Sequence, residues 1–174
     1  MKMTKLAQRL GIPRYQADQH YRAGLAAFIS RDLAKSISEL QTAVALLPRH
    51  AEYHAALGFI LLDDKQLRAA GESFERALSL NAYEMLANYG QGMITYRARN
   101  WLEAMNYFEA AHAAQPKRPE TQYYLGMVNH RLGRNAEALR WMEGAAVGFA
   151  KIGDRRETHC TAWKREFRKL LETK

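Results

Sequence analysis

The residues best spaced to bind a metal in this sequence are His50 and His54, four positions apart. Histidines at that spacing can share one face of a helix and hold a zinc ion together. The acid nearest to them, Glu52, points to another side of that helix, and His50 falls at the expected helix boundary. We therefore predict that both histidines pack at the surface or between helices, and that the chain binds no metal and no other cofactor.

Other reactive groups are isolated in the sequence. Asp63 and Asp64 adjoin in a predicted turn, where carboxylates cap and solvate helix ends more often than they transfer protons. Cys160, as the single cysteine, excludes an internal disulfide and a cysteine-based zinc site, and we expect it to be a small buried residue. No serine, histidine and acid assemble into a triad, and no glycine-rich phosphate loop is present. These patterns predict a protein that is not an enzyme.

The elements that position these residues follow a period of 34 residues. One glycine recurs at that interval, as Gly24, Gly58, Gly92 and Gly126. After each glycine comes a small residue, a bulky one four positions later and a small one three after that. The four copies are Ser36/Leu40/Ala43, Ala70/Phe74/Ala77, Ala104/Phe108/Ala111 and Ala138/Met142/Ala145. Small residues let two helices approach while the bulky residue fills the gap, so the period predicts stacked helix pairs.

The predicted fold is all-α. The helix pairs are expected at about 14–29 with 33–47, 51–63 with 67–80, 85–98 with 101–114, and 119–132 with 135–150. A short helix at about 4–10 precedes them. A final amphipathic helix, from about Asp154 to Glu172, has Trp163, Phe167, Leu170 and Leu171 on one side and should cover the last pair. The predicted divisions are a basic N-terminal cap (1–16), four units within 17–150 (17–50, 51–84, 85–118, 119–152) and a C-terminal capping helix (153–174).

The charge is uneven along the chain. The net charge of +8 comes from 26 basic and 18 acidic residues, and both ends are basic while residues 17–150 are neutral. The basic last helix could meet an acidic protein, a nucleic acid or an anionic membrane surface, but a solvated cap is the favoured interpretation and nucleic-acid binding is not expected. No apolar run is long enough to span a bilayer and no secretory signal is evident, which predicts a cytoplasmic protein.

The four units resemble the tetratricopeptide repeat family. Besides the small–bulky–small pattern, the resemblance rests on the pairs Ala23-Gly24, Leu57-Gly58, Gln91-Gly92 and Leu125-Gly126. It implies a right-handed α-solenoid in which the first helix of each pair lines a concave groove that holds extended or helical peptides. The family's subtype that grips a C-terminal carboxylate is not expected, because its lysine and asparagine positions here hold Tyr21, Leu25 and Ala56.

The groove implied by this resemblance is aromatic and methionine-rich, with cationic residues at one edge. Its residues are Tyr21, Phe28, Phe59, Tyr89, Met93, Tyr96, Arg97, Tyr123, Met127, His130 and Arg131. Rigid aromatic rings and adaptable methionines suit apolar partners, although residues of these types at helical spacing are also common in cores. We predict a protein-interaction module, an adaptor, scaffold or chaperone, for a protein or peptide partner of apolar and acidic character. The alternative is a structural subunit that forms a homo-oligomer or docks into a larger assembly through repeat edges and the C-terminal helix.

Overall fold

The computed structural model describes residues 11–173, and within that range the regular structure consists of nine α-helices without a β-strand. They are α1 Ile12–Ile29, α2 Leu33–Leu46, α3 Ala51–Asp63, α4 Leu67–Leu80, α5 Met85–Arg97, α6 Trp101–Ala114, α7 Pro119–Arg131, α8 Asn135–Lys151 and α9 Arg156–Glu172. The predicted helix pairs are confirmed to within a few residues. The helix predicted at 4–10 lies outside the described residues.

The contact between paired helices is the one that the repeat pattern predicts. A Cβ placed on Gly58 in α3 would lie 2.7 Å from the Phe74 ring in α4, and one on Gly126 in α7 would lie 3.1 Å from Cε of Met142 in α8. All twelve residues of the small–bulky–small pattern are fully buried. The glycines are therefore required where the second helix presses its bulky side chain against the first.

The turns inside the pairs use the left-handed backbone region. Arg31, Lys65 and Arg99 have φ between 64° and 66°, and Gly133 occupies the matching place in the last pair with φ 75°. A Cβ in this region crowds the neighbouring carbonyl oxygen, whereas glycine adopts it without cost. The first three turns therefore carry local strain that the fourth lacks.

Lys65→Gly is expected to raise the free energy of unfolding by about 0.5 kcal/mol, because relief of the left-handed strain outweighs the extra freedom that glycine gives the unfolded chain. Urea denaturation measures the change. Lys65→Ala is the matched control, since it removes the same charge and keeps the Cβ, and it should leave stability nearly unchanged. Equal stabilisation by alanine would assign the gain to the lost charge instead.

The last helix packs on α8. Cys160 and Phe167 are fully buried, and Trp163 and Leu170 pack half-buried against the same core. Leu171, predicted to share this side, is 39% exposed. The prediction was wrong for Leu171 because the buried stripe runs through positions 160, 163, 167 and 170, which places the next residue beyond its edge.

The chain folds as two compact units, Met1–Gly90 and Gln91–Lys174, with the boundary inside α5. Each unit has its own buried core. Among the helices of residues 11–173, none combines the length and the apolar content needed to cross a membrane.

Candidate partner-binding surfaces

In the first unit, aromatic rings of α1 and α3 lie side by side. Tyr21 stacks on Tyr53 with ring centroids 4.9 Å apart, and Phe28 meets Phe59 edge to face at 6.2 Å. Tyr21, Phe28 and Phe59 are half-buried, whereas Tyr53 is buried. Tyr21, Phe28 and Phe59, which were predicted for the groove, thus take part in ring contacts that join α1 to α3, the first helices of two neighbouring pairs.

Carboxylates hold the hydroxyl groups of these rings. The Tyr21 hydroxyl donates to Oε1 of Glu52 at 2.9 Å, and the Tyr53 hydroxyl donates to Asp18. Burial and the bond to Glu52 raise the pKa of Tyr21, and burial and the bond to Asp18 raise the pKa of Tyr53 to about 12. Neither hydrogen bond was predicted from the sequence, although Asp18 and Glu52 stand one period apart.

Two of the predicted groove residues are almost completely buried. Tyr89, in the first unit, is 7% exposed, and Met127, in the second, is 6% exposed. Met127 belongs to the core cluster that includes Phe149 of α8 and Phe167 of α9. A partner can reach little of either side chain, because the fold already buries most of their surface.

The second unit contains a connected set of rings that we call the aromatic cluster: Tyr96, Trp101, Tyr123 and Tyr124. Tyr96 lies 5.1 Å from Trp101 and 5.6 Å from Tyr124, both edge to face, and Tyr123 lies 5.5 Å from Tyr124. Tyr124 also stacks on buried Phe108 at 5.2 Å. The members of the aromatic cluster are half-buried, as is the nearby Met93 of α5. Trp101 was not among the predicted groove residues, because it begins the second helix of its pair.

Cationic side chains adjoin the aromatic cluster. The guanidinium carbon of Arg131 lies 5.8 Å from the centre of the Trp101 ring. Arg97 and Arg131 are exposed, and neither pairs with a carboxylate in the part of the chain that the structure describes. Their charges are therefore available to a partner.

His130, the remaining predicted groove residue, faces the last helix. Its ring lies 5.6 Å from Trp163 and 5.0 Å from Phe167, and Nδ1 is 2.9 Å from Oδ1 of Asn135. Burial raises the pKa of Tyr123, which packs with Trp163 against the same core cluster. The helix α9 therefore covers part of the surface that was predicted for α7.

The histidine pair considered as metal ligands makes other contacts. Nε2 of His54 lies 2.9 Å from the carbonyl oxygen of Pro48, and the His50 ring stacks on Tyr53 at 4.0 Å. Across residues 11–173, no three side chains of the histidine, cysteine, aspartate and glutamate types come together as metal ligands would. Both histidines are part of the packing around the start of α3.

Cys160 is fully buried, as predicted. Burial raises the pKa of its thiol to about 11. Because the thiolate is the reactive form, Cys160 is held in a form that reacts slowly with electrophiles.

Iodoacetamide is expected to alkylate Cys160 in the folded protein at least about 100-fold more slowly than in the unfolded protein at about pH 8. The raised pKa lowers the thiolate fraction by about that factor, and burial slows access further. Mass spectrometry of samples quenched over time gives both rates. Similar rates in buffer and in urea would contradict the burial of this thiol.

Comparisons with known proteins agree with this repeat pattern. Residues 89–153 match the model of the tetratricopeptide repeat family, and these residues contain two of the glycine-marked helix pairs. This stretch of the chain belongs to the tetratricopeptide repeat family. Cellulose synthase 1 operon protein C of Komagataeibacter xylinus is 38% identical over 60 residues, which are 34% of this chain and 4% of that protein. The match therefore spans only a small part of that relative.

Solved structures show the same fold. The PilF protein of Pseudomonas aeruginosa superposes with a TM-score of 0.69 at 18% identity, covering 92% of this chain and 77% of PilF. YrrB, described as a tetratricopeptide repeat protein with an unusual peptide-binding site, superposes with a TM-score of 0.60 at 20% identity, covering 76% and 68%. The predicted all-α helical repeat fold is confirmed.

Proposed function

We propose that this protein is, along its whole repeat array, a member of the tetratricopeptide repeat family, and that it is a non-enzymatic interaction module that holds a segment of a partner protein against the aromatic cluster of its second unit. The observation that supports it most directly is the set of half-buried rings beside two exposed, unpaired arginines. As such a module it would act as an adaptor, scaffold or chaperone in the cytoplasm.

The ring contacts favour binding because they fix the surface before a partner arrives. Tyr96 is held between Trp101 and Tyr124, so its ring loses little freedom when a ligand covers it. Tyrosine and tryptophan offer a large apolar area together with a polar tip, which is why they are enriched at interfaces. Met93 adds a flexible side chain that can adapt to different apolar residues.

The charges next to the rings favour a partner that is apolar and acidic. Arg97 and Arg131 are exposed and unpaired within the described residues, and a guanidinium binds a carboxylate with two parallel hydrogen bonds. In the first unit, Tyr21, Phe28 and Phe59 provide a further candidate contact surface. The hydroxyl of Tyr21 is already bonded to Glu52, so its ring face is the part that remains for a ligand.

The test combines Met93→Ala, Tyr96→Ala and Tyr123→Ala, and selects binders from a phage-displayed library of short random peptides. The wild-type protein should enrich a recurring apolar pattern, and a synthetic peptide with that pattern should bind the triple variant at least about 100-fold more weakly, because central aromatic residues dominate binding energy. Isothermal titration calorimetry measures both affinities.

The matched control is Tyr15→Ala with Tyr83→Ala, which removes two exposed rings from the first unit. Circular dichroism and thermal unfolding confirm that each variant is folded. Unchanged peptide binding by the folded triple variant would refute the proposed surface, as would failure of the wild-type protein to enrich any pattern.

A further inference from the structure

In the second unit, two helix ends and the turns after them bring four exposed arginines to the neighbourhood of Trp101. We call them the arginine cluster: Arg97, Arg99, Arg131 and Arg134. We propose that the arginine cluster binds carboxylate side chains in an acidic segment of the partner that occupies the aromatic cluster. This inference rests on the proposed function, and it adds Arg99 and Arg134, which lie outside the predicted groove.

Arg131, the last residue of α7, and Arg134, in the turn that follows, extend across the start of α6. Arg131 lies over the Trp101 ring, and Nη1 of Arg134 is 3.5 Å from Sδ of Met105. Arg97 ends α5, and Arg99 occupies the following turn, two residues before Trp101. Packing on a ring and a thioether restricts the Arg131 and Arg134 side chains before any ligand binds. Less conformational entropy is then lost when a carboxylate arrives.

The arginine cluster has no internal counter-charge. None of its members forms an ion pair with a residue in 11–173, although other arginines of the same unit do. Arg156 binds Asp154 at 2.7 Å and Glu120 at 3.0 Å, and Arg168 binds Glu143 at 2.9 Å. Four neighbouring positive charges without a paired carboxylate repel one another, and an anionic ligand would relieve that repulsion.

The surroundings favour an acidic protein segment over a nucleic acid. Leu102 is 60% exposed, and Trp101 beside it is half-buried, so apolar surface lies next to the charges. The exposed carboxylates of Glu103 and Glu137, in the first turns of α6 and α8, would repel a continuous phosphate backbone. A peptide can place its acidic residues on the arginines and its apolar residues on Leu102 and Trp101.

The test replaces Arg99, Arg131 and Arg134 together by glutamine. Peptides that the wild-type protein selects from the same phage library should be enriched in aspartate and glutamate. The most enriched peptide, made synthetically, should bind the triple variant at least about tenfold more weakly, since each exposed ion pair contributes a modest part of the affinity. Replacing the peptide's acids by their amides should weaken binding to the wild-type protein and have little further effect on the variant.

The control changes the same number of exposed arginines in the first unit, as Arg22→Gln, Arg49→Gln and Arg76→Gln, and should bind the peptide normally. A second variant, with lysine in place of Arg99, Arg131 and Arg134, should recover part of the lost affinity because it keeps the charge without the bidentate geometry. Thermal unfolding verifies that all variants are folded.

Selected peptides without an excess of acids, or full affinity in the glutamine variant, would overturn the inference. If the folded Met93/Tyr96/Tyr123 variant loses binding while the glutamine variant does not, the proposed function stands and only the arginine cluster is misassigned. Failure of the wild-type protein to select any peptide would overturn both. A single-stranded RNA that binds the wild-type protein more tightly than the peptide, and not the glutamine variant, would assign the arginine cluster to nucleic acid instead.

Discussion

Phe74→Ala is expected to lower the free energy of unfolding by about 3–5 kcal/mol, the usual cost of removing a fully enclosed phenylalanine. The ring is completely buried and lies between two glycines. A Cβ on Gly58 would lie 2.7 Å from it, and a Cβ on Gly90 would overlap it. Alanine at position 74 therefore leaves a cavity that the two glycines have no side chains to fill.

Urea denaturation monitored by circular dichroism measures this loss. Tyr83→Ala is the control in the same unit, because Tyr83 is 77% exposed and its removal should change stability by no more than about 0.5 kcal/mol.

A further test introduces Gly90→Ala into the wild-type protein and, separately, into Phe74→Ala. The alanine should destabilise the wild-type protein by about 1–3 kcal/mol through overlap with the ring, and less in Phe74→Ala, where the ring is absent. Equal effects in both backgrounds would contradict the close approach of Gly90 to Phe74.

The core could be predicted from the sequence because one short-range rule determines it. A glycine in the first helix needs a bulky side chain opposite it in the second, and both sides of this contact repeat at a fixed interval. Phe74 and Phe108 were assigned to the core on this basis, and both are fully buried. Such contacts lie within one helix pair, so a period along the chain is sufficient to identify them.

The exposed surface could be predicted less well from the sequence, because the exposure of a side chain depends on whether a neighbouring helix covers it. Met93 and Met127 occupy the same position of the repeat, yet Met93 is half-buried while Met127 lies in the core cluster with Phe149 and Phe167. The period assigns a side of the helix but does not say what covers it. Trp101 was missed for a related reason, since it contacts Tyr96 and Arg131 from a helix that the family resemblance does not assign to the groove.

Polar contacts between the first helices of neighbouring pairs also escaped prediction. The bonds from Tyr21 to Glu52 and from Tyr53 to Asp18 cross from α1 to α3, and each depends on side-chain directions that a repeat pattern does not specify. The first unit thus binds its tyrosine hydroxyls with its own acids. In the second unit, Arg131, which is unpaired within residues 11–173, lies over the Trp101 ring. This placement of a free charge beside half-buried rings is why the acidic partner is proposed for the second unit.

Phe167→Ala, in the last helix, is expected to lower the free energy of unfolding by about 3–4 kcal/mol. Phe167 is fully buried, its ring lies 5.4 Å from Trp163 and 5.0 Å from His130, and it belongs to the same core cluster as Phe149 of α8. Removing it separates the cap from the last helix pair and exposes apolar surface of α8, as loss of a cap does in a repeat array.

Leu171→Ala is the matched control. The sequence pattern predicts Phe167 and Leu171 on the same side of the last helix, whereas the structure buries only Phe167. Leu171 is 39% exposed, so its loss should cost less than about 1 kcal/mol in the same urea titration. Tryptophan fluorescence adds a second measurement, since Trp163, one of three tryptophans, stacks on Phe167 and should become more exposed to water in Phe167→Ala alone. Equal losses from the two substitutions would mean that α9 is rotated from its observed packing, with Leu171 turned toward α8.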